Sequence, residues 1–220
     1  MINSQPDAYS DFLAVQEPVI GHAEGYFSQL AHVLRSLPYK TVDQIANRLL
    51  RAYNERRTVF LFGNGGSAGL ASHWACDLGK GTALPGKRRF RVMALTDNIP
   101  TMTAWANDAR YDDIFAEQLR NFVEPDDVVL AISGSGNSPN VINALALARE
   151  AKAFTIGLTG YRGGKMKALC DLCLIVPSDN MQFIEDMHLC VSHSVFRALC
   201  HQFAVPESIA APATRAYAAD

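Results

Sequence analysis

The chain has 220 residues, 49% of them hydrophobic and 19% charged, with a formal net charge of −2. This composition supports a full hydrophobic core and excludes extended disorder, and the one basic run, Lys87-Arg88-Arg89, suits a solvated loop better than a nucleic-acid footprint. No apolar run reaches the roughly 18–20 residues that span a bilayer, and MINSQPDAYSDF lacks the basic-then-apolar order of a secretory signal, so a cytoplasmic protein without membrane or nucleic-acid partners is expected.

From Val19 to Leu37 apolar residues recur at three-and-four spacing, which predicts an amphipathic helix stopped by Pro38. A second helix is expected from Thr41 as N-cap to about Glu55, so that residues 1–57 form a helical extension. The texture then changes. Short apolar runs at 58–62, 91–95, 128–132, 154–158 and 172–176 each precede a Gly/Ser/Asn turn or a helical pattern. Near-continuous apolar strands alternating with helices predict a doubly wound α/β domain over 58–205, a five-stranded parallel sheet flanked by helices. A last helix is expected from about Asn180 to Phe203, and the Ala/Pro-rich tail 206–220 is expected to fray. The five cysteines, Cys76, Cys170, Cys173, Cys190 and Cys200, lie mostly in apolar segments and suit reduced, buried thiols. The Cys170/Cys173 CxxC lacks the second pair a zinc site needs and is assigned a structural role.

Ligands of such sheets bind beyond the carboxyl ends of the strands, and three loops there are rich in turn residues: 63–67, 133–138 and 159–165. In Ser133-Gly134-Ser135-Gly136-Asn137-Ser138, small residues, hydroxyls and a following helix N-terminus make a phosphate cradle. A serine-capped turn would account for one of these serines but not three. There is no Walker A, and GNGGSAG departs from the dinucleotide fingerprint. His73 and Asp77 are one helical turn apart, and Glu185 and His193 about two. Together the four are able to hold a divalent transition metal, the imidazoles favouring zinc, nickel or iron over magnesium; each pair also suits a helix surface, and His188 and Asp186 beside them read as solvated positions.

The order GNGGS…HWACD, ALTDN…AND, ISGSGNSPNV, LTGYRGGKM and IEDMHLCVSH resembles the sugar-isomerase (SIS) domain family, and within it the phosphoheptose isomerases, over about residues 10–203. The resemblance implies a homotetramer in which the N-terminal extension packs, active sites at subunit contacts, and interconversion of sedoheptulose 7-phosphate with glycero-manno-heptose 7-phosphate. It places Asn64, Gly65, Gly66, Asn107 and Asp108 near the sugar, Ser133, Gly134, Ser135 and Ser138 on the phosphate, and His73, Asp77, Glu185 and His193 on zinc. Asp77 and His193 then become base and acid, with Glu185 as a rival base and substrate contact. Two positions depart from the family's pattern, which commonly has Glu at Asp77 and Gln at Glu185. The alternatives are an isomerase of another sugar phosphate, a non-catalytic SIS module of the kind that binds the bacterial replication initiator, and a sugar-phosphate-sensing regulator, for which no DNA-binding module is found.

Overall fold

The computed structural model describes residues 22–204. The expected helix start at Val19, the segment before it and the tail 206–220 lie outside the described residues. Helix α1 (His22–Arg35) and helix α2 (Tyr39–Asn54) flank Pro38. Pro38 itself occupies the N-cap position of α2, and Thr41 lies within the first turn without capping it, contrary to expectation. The proline ring presets φ and has no N–H to satisfy, so the helix begins directly after it.

Five strands follow: β1 (Val59–Gly63), β2 (Val92–Ala94), β3 (Val128–Ile132), β4 (Phe154–Thr159) and β5 (Leu172–Ile175). They form one sheet in the order β2-β1-β3-β4-β5, every neighbouring pair parallel, with Val59 opposite both Val92 and Val128. The connections are α3 (Gly66–Cys76), α4 (Ile99–Asp108), α5 (Ala116–Arg120) and α6 (Pro139–Glu150), and α7 (Met181–Ala204) closes the chain. β2 is shorter than the expected 91–95, although its flanks still bond: Val59 N–H donates to the Arg91 carbonyl and Leu95 N–H to the Leu61 carbonyl.

Every residue of β1 and β3 is buried. Because successive strand residues face opposite sides, Val59, Leu61, Val128 and Leu130 pack under α1, α2, α3 and α7 around Trp74. Phe60, Phe62, Val129 and Ala131 pack against α5 and α6 on the other face. This double covering explains the unbroken apolar runs. The cysteines depart from expectation. All five are free, yet Cys76 and Cys190 are exposed and the other three only half-buried, because helical ones lie off the inward stripe of α3 and α7 while Cys170 and Cys173 sit at the sheet's edge strand. No helix among the described residues is long and apolar enough to cross a membrane.

The strand order reverses direction between β1 and β3, so the crevice outside their carboxyl ends is where this topology places a ligand.

Candidate active site

The loop after β1 and the loop after β3 meet at that crevice. Asn64 and Asn140 exchange amide hydrogen bonds, both at 2.9 Å, and the Tyr111 hydroxyl donates to Asn64 Oδ1 at 3.0 Å. The Asn64 side chain, expected on the sugar, pins the two loops together here. Gly65 is left-handed, at φ 55°, as it starts α3.

The serine loop keeps its hydroxyls for something other than capping. Ser138 occupies the N-cap of α6 but its side chain bonds no helical N–H; instead it meets the buried Ser133 hydroxyl at 3.3 Å. The Ser135 hydroxyl accepts from Asn137 N–H at 3.2 Å. The loop is braced from behind by residues 163–166: Lys165 N–H donates to Asn137 Oδ1 and Met166 N–H to the Gly136 carbonyl, both at 3.0 Å. Gly136 and Gly164 are both left-handed and so close that a Cβ on either would strike the other loop's backbone. A cavity of about 830 Å³ opens in front, lined by Ser135, Asn137, Tyr161, Arg162 and Asp179. Arg162 and Tyr161 belong to the third turn-rich loop, whose role beside the serines the sequence left unassigned.

The second part of the site joins α3 to α7. His73 Nε2 lies 2.9 Å from His193 Nε2 and 3.4 Å from Asp77 Oδ2, and donor atoms of the three all fall within 4.8 Å of one another. Two imidazole nitrogens and a carboxylate oxygen are a donor set suited to zinc, whose tetrahedral nitrogen ligands stand about 3.3 Å apart. Glu185 stands outside this group of three. Its carboxylate lies over Gly66, 3.3 Å from where a Cβ would be, and shares with His73 a cavity of about 280 Å³.

Immediately after α3 the chain widens into a π-helical turn, Asp77–Gly81, with Thr82 N–H bonding five residues back to the Asp77 carbonyl; such turns recur at functional sites. A Cβ on Gly81 would lie 2.7 Å from the Phe196 ring, so this glycine lets α7 approach one turn beyond His193.

His188 is not solvated, and Asp186 is half-buried. His188 is 1% exposed, its Nε2 lies 3.2 Å from the Thr159 carbonyl, and its Nδ1 has no partner. Burial pulls its pKa down to about 4 against the weaker opposing pull of that carbonyl. Asp186 accepts a 2.5 Å hydrogen bond from Tyr26 of α1, which together with burial pushes the tyrosine up to about 12. Asn107 and Asp108 sit exposed at the end of α4, bonded to each other at 2.8 Å, and among the described residues no hydrogen bond or ion pair ties them to the imidazole cluster.

The profile of the SIS domain family matches residues 25–160, which end before α7. The phosphoheptose isomerase of Aliarcobacter butzleri is 38% identical over 187 residues, covering 84% of this chain and 91% of that one. The chain is a phosphoheptose isomerase family member of the SIS fold. A second phosphoheptose isomerase, from Rhodospirillum rubrum, is 47% identical over 135 residues, 61% of this chain and 71% of its own. In three dimensions the phosphoheptose isomerase from Francisella tularensis superposes with a TM-score of 0.78 at 27% identity, covering 84% of this chain and all of that one. The expected five-stranded SIS architecture is therefore observed, and family membership makes the chain an isomerase.

Proposed function

We propose that this phosphoheptose isomerase family member interconverts sedoheptulose 7-phosphate and D-glycero-D-manno-heptose 7-phosphate through a cis-enediol, with zinc held by His73, Asp77 and His193. The observation that carries this reading is the convergence of those three donors, from α3, the π-turn that follows it and α7, within 4.8 Å of one another. Zinc bound there would polarise the sugar carbonyl and stabilise enediolate charge.

The chain's own residues account for the remaining steps. The hydroxyls of Ser133, Ser135 and Ser138 and the start of α6 hold the phosphate, which fixes the sugar's reach toward α3. His193 is the group we assign to hand a proton to the carbonyl oxygen, and Asp77 the carboxylate we assign to take one from the adjacent carbon where it is not occupied by the ion. With an ion seated on these three, Glu185 is the uncommitted carboxylate and takes over as base. A homotetramer completes the proposal: Asn107 and Asp108 would then reach the sugar across a subunit contact.

The test is isomer exchange across C5 to C7 ketose and aldose phosphates by the zinc-loaded protein. Exchange of the heptose phosphates, abolished in His193→Ala while the quaternary structure is kept, is the expected result. Undiminished turnover in that variant would remove His193 from the mechanism, and phosphate binding without any turnover would leave only a binding module.

A further inference from the structure

At the far end of the sheet, beneath the starts of β3, β4 and β5, lies a concavity of about 350 Å³ walled by Arg48 and Arg51 of α2, Arg149 at the end of α6, Lys152 just beyond it and Phe154, with two carboxylates, Asp126 and Asp171, against these four cations. Strands of five residues, rising about 3.3 Å each, separate it by roughly 16 Å from the serine loop. It is therefore distinct from the crevice in which the substrate binds.

Its positive charge is not balanced by its own walls. Asp171 at its edge accepts hydrogen bonds from Thr155 N–H and hydroxyl at 2.8 and 2.9 Å. Asp126 turns its carboxylate to Arg57 at 3.6 Å. Glu55 is taken by Arg51 at 2.7 Å. The exposed side chains of Arg149 and Lys152 have no hydrogen bond or ion pair to another described residue.

Arg48 is the member of the group with a buried donor left unpaired. Only 9% of its side chain is exposed; its guanidinium stacks 4.5 Å above the Phe154 ring, and Nη2 donates to the Asp126 carbonyl at 2.8 Å. Its Nε–H is buried without an acceptor, and the nearest carboxylate oxygen, on Glu55, is 4.0 Å from Nη1. A buried guanidinium with an idle donor costs free energy unless an acceptor joins it.

We propose that this basic concavity is a second anion site that binds a phosphate group, either free inorganic phosphate or the phosphate of a small metabolite. The arginine forks of Arg48 and Arg149 match the oxygens of a tetrahedral oxyanion, and Lys152 adds a mobile point charge at the rim. The helix that carries Arg149 begins at the serine loop and ends just before Lys152, so one helix spans the distance between both anion sites.

Calorimetric titration of the purified full-length protein with inorganic phosphate tests this, read without any turnover assay. The wild type is expected to show two classes of phosphate site. The Arg149→Gln/Lys152→Gln variant should keep the serine-loop class and its isomerase activity while losing about tenfold or more in affinity at the other class, as removal of charge-assisted hydrogen bonds does. The Ser133→Ala/Ser135→Ala variant should show the reverse. Competition by a sugar phosphate at the second class identifies a phosphorylated metabolite as ligand, and its failure to compete identifies free phosphate. Superimposable isotherms for the wild type and the arginine–lysine variant, or a single class removed by the serine changes alone, would overturn the proposal.

Discussion

At the residue scale, the serines and His188 make opposite kinds of prediction. A phosphate that does not react contributes mainly uniform binding, so Ser133→Ala and Ser135→Ala are expected to raise KM more than they lower kcat in steady-state assays; a loss confined to kcat would move these hydroxyls into the chemistry. His188 bears on stability instead. Its folded pKa, about 4, lies below the ordinary value of 6.5, so the unfolded chain takes up this proton first as pH falls. Stability is independent of His188 above about pH 6.5, declines between there and about pH 4, and levels off below, a loss of up to about 3 kcal/mol. Thermal unfolding of wild type and His188→Gln across this window should show a shallower decline in the variant, and parallel curves would remove the burial account. The resemblance singled out His193, but the residue pattern alone did not show that His188 is buried. Both lie on one helix, and only the packing of α7 under the sheet shows that the first is inward and the second faces α3.

At the scale of elements, what was legible is what local pattern alone determines. β1, β3 and β4 announce themselves as apolar runs because helices cover both faces of the central sheet. The serine loop was legible too, because three hydroxyls exceed what a cap uses. The start of α2 and the π-turn at Asp77 were not. The first turns on whether Pro38 or Thr41 begins the helix, and the second ends at Gly81, where Phe196 of the distant α7 packs close, a contact no local pattern shows. That contact yields a prediction. In Gly81→Ala the new methyl meets the Phe196 ring at 2.7 Å, so α7 or the π-turn must shift, at a cost of about 1–3 kcal/mol. Since His193 is one turn before Phe196, the shift should loosen its approach to His73, lowering bound transition metal and the melting temperature together. Metal content equal to wild type in a destabilised variant would show that the ring gives way and the helix does not.

For the whole molecule, the site within one chain is open: the side chains of His73 and Asp77 are 48% and 21% exposed, more than an enediolate sheltered from water would suit. Large apolar side chains lie uncovered nearby. Phe27 and Leu34, 65% and 41% exposed, are seven residues apart and share one face of α1, and Tyr26 ties that helix to α7 beside Glu185 through Asp186. A further copy of the chain on this face would cover the patch and close the site together, as the proposed homotetramer requires. Light scattering on the eluting wild type should then give about 96 kDa, four times 24.0 kDa. Phe27→Glu should lower that mass, because a buried carboxylate without a partner opposes association. Dissociation should reduce turnover, yet leave metal content unchanged, since His73, Asp77 and His193 all come from one chain. This pairing separates loss of a neighbour from loss of the fold, which would release metal as well. A Phe27→Glu protein that keeps the mass and activity of the wild type would place the subunit contact on another face.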